Sequence, residues 1–306
     1  MTHAQLRAFH AVATERSFTK AARLLRVSQP AITFQVKALE ESCGAVLLDR
    51  RGREVVPTEL GEGLFEMTRR IFGLEQEAAE LLAAAGELRS GHLKVGADGP
   101  YFVMELLAAF VGRYPGVRVS VSMGNSQAVL KDLVEYRADV AVLAQVEVDR
   151  RFHSIPYTRQ PVVVFVPRDH EWAGRRDIRL AELEGRPMVA REVGSTTRRI
   201  VEDALAEAGV RPHVVLEIGS REALREAVAA GLGVGVVSRA ELGGDDRLWP
   251  LEVADVRLES WEYVICLNER RNLRTVQAFL DLVEEAKASR PDAAAPAAGG
   301  KVRAAT

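Results

Sequence analysis

Gln29, Pro30, Thr33, Phe34 and Lys37 fall at spacings that place them on one side of a single helix, with Gln35 beside them. A merely solvated face would carry a mixture of Glu and Lys; this one carries amide, hydroxyl and aromatic groups. Amides can pair with adenine edges, a threonine hydroxyl with either kind of edge, and an apolar side chain can lie on a thymine methyl. Arg50, Arg51 and Arg53 follow in a short Arg/Gly tip, LDRRGREVVP, whose side chains can reach phosphate oxygens or a minor groove. The chemistry of this segment is therefore recognition of double-stranded DNA. A small helical domain with a charged turn is the plainer alternative.

A second set of polar residues lies further along, in four loops that each combine glycine with hydroxyl, amide or charged groups. They are Asp98-Gly99-Pro100-Tyr101, Gly124-Asn125-Ser126-Gln127, Gly194-Ser195-Thr196-Thr197-Arg198 and Gly219-Ser220-Arg221, with Gln145 just past a strand. Each falls at an expected strand-to-helix turn, where ligands of open α/β sheets meet helix N-termini. Ser and Asn are also ordinary helix caps, so a single loop is ambiguous; four together point to a small polar ligand, anionic or zwitterionic. Arg198 is expected to neutralise its charge and Asp98 to pair with an amino group. The candidate ligand contacts are Asp98, Gly99, Pro100, Tyr101, Asn125, Ser126, Gln145, Ser195, Thr196, Thr197, Arg198 and Ser220.

Catalytic patterns are missing. The six histidines show no HExxH or other ligand spacing, no GxSxG occurs, and neither Cys43 nor Cys266 has an identifiable histidine partner. Gly231-Leu232-Gly233-Val234-Gly235 leaves a helix and enters a strand, the reverse of a dinucleotide fingerprint. No enzyme activity, metal or cofactor is expected.

The elements that must hold these groups can be read from periodicity. Leu6, Phe9 and Ala13 mark a first helix; Ser17 caps a second, with Phe18, Ala21, Ala22 and Leu25 inward. Ser28 caps a third, with Ile32, Val36, Leu39 and Cys43 as its inner face. Helix, short turn and helix, with small residues at the crossing, is the helix-turn-helix pattern. From Leu60 onward Leu64, Met67, Ile71, Leu74, Ala78, Leu81, Ala85 and Leu88 alternate at four and three, a heptad seam ending in a hinge at Gly86 to Gly91. A surface helix packed on its own domain is the alternative; pairing with a twin would hold two recognition helices at a fixed separation. Strands and helices then alternate to about residue 286, which implies parallel sheets wrapped by helices. The last residues, 289–306, are Ala/Pro/Gly-rich and expected to be disordered.

The stretches RSFTKAARLLRVSQPAITFQVKALEE and LLDRRGREVVPTELG resemble the winged helix-turn-helix of the LysR-type transcriptional regulators, and the similarity continues to about Ala286. The resemblance implies a fold of two parts. One is an all-α winged helix-turn-helix domain; the other is a bilobal, periplasmic-binding-protein-like effector domain of two parallel-sheet α/β lobes. The expected boundaries are 1–59 for the DNA-binding domain, 60–90 for the dimerisation helix and 91–288 for the effector domain. Lobe I takes about 91–165 and 268–288 and lobe II 166–267, the chain crossing near Val166 and Ile265. It places Gln29, Pro30 and Thr33 at the major groove and Arg50, Arg51 and Arg53 on backbone or minor groove; Ser28, Phe34 and Lys37 of the same helix complete the expected DNA-binding set. Many members have arginine after the position of Thr33; this chain has Phe34. GNSQAVLKDLVEYRADVAV and EIGSREALREAVAAGLGVGVVS are similar to relatives associated with aminoethylphosphonate use, implying a phosphonate or amino-acid-like effector. The implied partners are operator DNA, the effector, a second copy (or three more, in a tetramer) and RNA polymerase, with none in a membrane.

Composition agrees with this reading. The chain has 306 residues, 47% hydrophobic, with a net charge of −2. Residues 1–57 hold nine basic and five acidic groups, so a head of +4 sits on a remainder of −6. The longest strand-like apolar run, Val162–Val166, is far short of the ~18 residues of a membrane span. Met1–Arg16 is broken by charges and cannot serve as a signal peptide. Two cysteines without a CxxC spacing argue against a disulfide scaffold, which makes the cytoplasm the expected compartment.

Overall fold

The computed structural model describes residues 1–51, 54–83, 90–144 and 150–289, in two compact units that divide after Ala85. Arg53, Gln145, Ala85, Leu88, most of the expected hinge and the tail beyond Ser289 lie outside the described residues.

The first unit opens with α1 (His3–Glu15), α2 (Phe18–Leu25) and α3 (Gln29–Cys43). Each starts where a hydroxyl accepts a first-turn N–H: Thr2 from Gln5, Ser17 from Lys20 and Ser28 from Ala31. Arg16 and Arg26 adopt left-handed backbone at the ends of α1 and α2, which turns the chain sharply enough for the helices to cross. Phe9 and Val12 of α1, Ala21 and Ala22 of α2, and Ile32, Val36 and Leu39 of α3 form the shared core. Cys43 departs from the expected inner face: it is exposed on the last turn, where its thiol points to the Glu40 carbonyl.

The wing follows as β1 (Leu48–Arg51) paired antiparallel with β2 (Glu54–Pro57). Glu40 accepts the backbone N–H groups of Leu47 and Leu48 at 2.8 and 3.1 Å. It thereby ties the end of α3 to the root of the wing. Helix α4 (Glu59–Ala83) closes the unit. It has two apolar sides. Phe65, Thr68 and Phe72 pack on α1, with His10 donating to or accepting from Thr68 Oγ1 at 3.0 Å and lying against both phenylalanine rings. Of the expected seam, Leu60, Met67, Ile71 and Leu74 stand exposed, whereas Leu64 is half-buried against the core of the head.

The second unit begins with β3 (Gly91–Ala97), α5 (Pro100–Arg113), β4 (Val117–Met123), α6 (Ser126–Val134) and β5 (Val140–Ala144). Strand β6 (Phe152–Pro167) leads to β7 (Asp177–Ile178), β8 (Pro187–Arg191), α7 (Thr196–Ala208), β9 (His213–Ile218) and α8 (Arg221–Ala229). Then come β10 (Gly235–Ser238), α9 (Arg239–Leu242), β11 (Leu248–Val253), β12 (Glu259–Leu267) and α10 (Arg274–Ala288). Pairs β4–β3, β3–β5 and β8–β9 are parallel, as βαβ connections require.

The strands that join the lobes are antiparallel. The first half of β6 pairs with β12; from Val162 onward β6 pairs with β10 and β11 instead. The crossing therefore falls at Pro161–Val162 and Leu258–Glu259, a few residues before the positions expected at Val166 and Ile265. Each sheet remains wrapped by helices. Val103, Leu106 and Phe110 of α5 join Phe279 of α10 over β3 in lobe I, and Ile200, Val201 and Leu205 of α7 cover β6 in lobe II. The first half of β6 escaped the sequence reading because its buried positions are interrupted by His153, Ser154, Arg159 and Gln160. Only its second half is a continuous apolar run.

Candidate DNA interface and effector cleft

On α3, Gln29, Pro30, Phe34 and Lys37 are exposed and Thr33 is half-buried. Phe34 is 69% exposed, a large apolar ring the head does not need for its own core. Ser28 is engaged as the helix cap, and the Thr33 hydroxyl donates to the Gln29 carbonyl at 3.0 Å. Gln29 Oε1 accepts a 3.4 Å hydrogen bond from Thr19 of α2, which steadies the side chain and leaves its NH2 group outward. Lys37 makes only a 3.7 Å contact with Glu41 one turn on, an exposed pair of little energetic weight. Arg50 and Arg51 lie on β1.

In the second unit the expected loops do converge. Gly99 is the N-cap of α5, Asn125 of α6, Ser195 of α7 and Ser220 of α8. The first two belong to lobe I and the others to lobe II, and they touch: Asn125 Nδ2 donates to the Val193 carbonyl at 3.3 Å, Gln127 N to the Gly194 carbonyl at 3.4 Å and Thr196 Oγ1 to the Ala144 carbonyl at 3.3 Å. Ser126, Ser195, Thr196 and Thr197 are all buried there. Helix α5 differs from its companions in starting without a side-chain cap, so its first-turn N–H groups, including that of Tyr101, have no capping oxygen.

Three of the expected contacts, Arg198, Asp98 and Ser220, are engaged by protein groups. Arg198 is held by Glu202 at 2.6 Å and Glu217 at 2.7 Å, and donates to the Arg191 carbonyl at 2.7 Å. It lines a cavity of about 430 Å³ between α7 and strands β8 and β9 rather than pointing to the convergent loops. The cause is local: Glu202 stands one turn along α7, and Glu217 on β9 lies across from it. Asp98 is buried, accepting from Ser126 Oγ at 2.6 Å and Ala144 N at 2.8 Å, so in this arrangement its carboxylate serves lobe I rather than an amino group. Ser220 likewise donates to Glu222 and accepts from Ala223.

Three charged residues that were not among the expected ligand contacts gather beside the loops: Arg221, which the fourth loop contains, and Glu241 and Glu262, which no loop contains. Arg221, the first residue of α8, donates to the Asp98 carbonyl across the lobes and pairs with Glu241 at 2.7 Å. Gly99 makes room for this pair, since a Cβ there would meet Glu241 Oε1 at 2.9 Å. Glu262 of β12 completes the group. Burial raises the pKa of Glu241 and pushes that of Glu262 well above the usual carboxylate range, the neighbouring Asp98 adding to both; Arg221 opposes both shifts. Alternation along β12 signals Glu262: it shares the buried parity of Ser260 and Val264.

A winged helix-turn-helix joined to a two-lobed α/β unit, with loops of both lobes meeting at helix N-termini, defines a regulator that couples DNA binding to a small molecule. The chain belongs to the LysR family: residues 3–62 match the bacterial regulatory helix-turn-helix protein of the lysR family and residues 86–288 the LysR substrate binding domain. It is 32% identical to the HTH-type transcriptional activator CmpR of Synechocystis sp. over 90% of this chain and 93% of that protein. It is also 32% identical to the RuBisCO operon transcriptional regulator of Acidithiobacillus ferrooxidans, over 93% and 94% of the two chains. Among solved structures, the Synechocystis CcmR regulatory domain in complex with 2-PG superposes with a TM-score of 0.61 at 28% identity, covering 65% of this chain and 98% of that one. These relatives are named as regulators, not enzymes, and LysR regulators bind operator DNA and small-molecule effectors as oligomers. No helix among the described residues is long and apolar enough to cross a membrane.

Proposed function

We propose that this LysR-type regulator acts in the cytoplasm, reading its operator with Gln29, Pro30, Thr33, Phe34 and Lys37 and gripping the flanking backbone or minor groove with Arg50, Arg51 and Arg53. Ser28 starts the recognition helix at the correct angle. The observation that carries this reading is the exposed, base-compatible face of α3 on a head whose core is complete without it. Residues 1–59 form the head, 60–90 the arm and 91–288 the body, and two or four copies assemble through α4. The exposed stripe Leu60, Met67, Ile71 and Leu74 supports that pairing. RNA polymerase is the partner through which the bound dimer acts.

The effector is a small polar anion or zwitterion held where Gly99, Pro100 and Tyr101 meet Asn125, Ser126, Ser195, Thr196 and Thr197. Converging helix N-termini favour negative charge there, and the related regulatory domain solved with 2-PG supports a small-molecule ligand in this body. Relatives named for the RuBisCO operon favour a metabolite of carbon assimilation over a phosphonate. Such a ligand can shift DNA binding only through unequal affinity for two lobe arrangements.

A genome-wide DNA pulldown recovers the operator. Gln29→Ala then weakens discrimination at one base by about 1–3 kcal/mol, while Arg53→Ala lowers affinity across sequences and flattens its salt dependence. Unchanged affinity in both variants would show that another surface binds. Calorimetry of the full chain with carboxylates, phosphonates and amino acids tests the effector class; heat from uncharged aromatics alone would overturn it.

A further inference from the structure

Glu262 is 3% exposed, paired across β12 with Ala144 of β5 and Thr158 of β6. Its Oε2 has no hydrogen-bond partner among the described residues. The charged groups facing it are Asp98 from the β3–α5 loop, Glu241 from α9 and Arg221 from α8, with Arg191 of β8 acting on Glu241 behind them. Strand β5 presents only apolar side chains and β6 the Thr158 hydroxyl. Among the described residues, Arg221 is the guanidinium that acts on Glu262, and it is already paired with Glu241. Ionising Glu262 here would bury a charge with no cation of its own, whereas a protonated carboxyl carries no such cost.

The cluster also straddles the lobes. Asp98 and Glu262 sit on lobe I and Arg221 and Glu241 on lobe II, so parting the lobes separates Arg221 from Asp98 and admits water to Glu262. We propose that Glu262 is protonated while the cleft is shut and gives up that proton when it opens, so that rising pH drives the lobes apart. This rests on the reading of the cleft as the moving effector site. The sign follows from linkage: the shut state binds one more proton, and its advantage is lost as pH rises. Between the ordinary carboxylate range that Glu262 regains in the open state and its higher shut-state value, the open-to-shut ratio grows up to tenfold per pH unit.

The test uses the full chain with neither DNA nor effector, so its failure is separable from that of the regulator reading. Infrared spectra in D2O follow the C=O stretch of a protonated carboxyl. In parallel, spin labels at Lys131→Cys of lobe I and Glu207→Cys of lobe II, in a Cys43→Ser background diluted with unlabelled chain, follow lobe separation. The band is expected at neutral pH in the parent chain, absent in Glu262→Gln, and lost over the pH range in which the lobes part. Glu262→Gln keeps the lobes shut throughout. A parent chain without the band, lobes that part with no change in the band, or an identical pH response in Glu262→Gln overturns the proposal. Should Glu262→Gln fail to fold, the parent chain's band and label distances decide alone, by whether they change together.

Discussion

Phe34 is where the recognition helix departs from the pattern of many LysR-type regulators, which carry arginine at that position. The ring is largely exposed and makes no contribution to the core of the head, so the head's own packing does not account for it. An aromatic ring can cover a thymine methyl but cannot donate to guanine O6 and N7, as a guanidinium does. Phe34→Arg is therefore expected to shift the preference at one base pair towards G·C, by about 1–3 kcal/mol for a new bidentate contact. Selection of binding sites from random DNA with both proteins measures it; identical selected sequences would remove Phe34 from the interface. Arg198 teaches the opposite lesson at the same scale. Its type and its position after a glycine-serine turn suited an anion ligand, but Glu202 and Glu217 claim it. Nothing in the local sequence announces Glu217 as its partner, because β9 meets α7 only in the folded body.

Two of the three glycines of α4, Gly61 and Gly63, differ in their surroundings. Gly61 packs so closely on the wing root that a Cβ would stand 2.0 Å from the Leu47 carbonyl oxygen, whereas Gly63 has nothing within 4 Å. Gly63→Ala should stabilise the head by roughly 0.5–1 kcal/mol, the ordinary helical gain over glycine. Gly61→Ala should destabilise it, since backbone rather than a flexible side chain must move. Urea melts of the two variants check this, and equal midpoints would show that α4 does not dock on the wing. The exposed part of the heptad stripe of α4, Leu60, Met67, Ile71 and Leu74, was legible from spacing alone, whereas Leu64 turns to the head. Its second apolar side was not, because Phe65 and Phe72 are set off from the seam and gain meaning only once α1 lies against them. Element boundaries show the same division. Caps located α2 and α3 closely, but the polar half of β6 is a strand because β12 pairs with it, not because of its own composition.

At the scale of the whole molecule, the exposed stripe on α4 is the feature a lone chain leaves unexplained. Replacing Met67 and Ile71 together by Lys is expected to convert an oligomer into monomers while leaving the head folded, since both side chains are exposed in the single chain. Light scattering reads the mass and circular dichroism the fold. Operator affinity should fall with the loss of the second head; an unchanged mass would move the interface elsewhere.

What the sequence by itself determined is everything that depends on short-range periodicity and on caps a few residues long. The helix-turn-helix, the outward face of α3, the exposed stripe on α4 and the alternating body all belong here, because helix and strand periods and N-cap hydrogen bonds are satisfied within one element. The tertiary structure alone decided which polar groups engage one another. Glu40 reaches the wing, Arg198 is withdrawn from the loops, and Asp98, Arg221, Glu241 and Glu262 come together from four separate segments. Such pairings depend on distances across the fold, and burial changes the strength of each charge once solvent is excluded, so neither could be read from a linear order of residues.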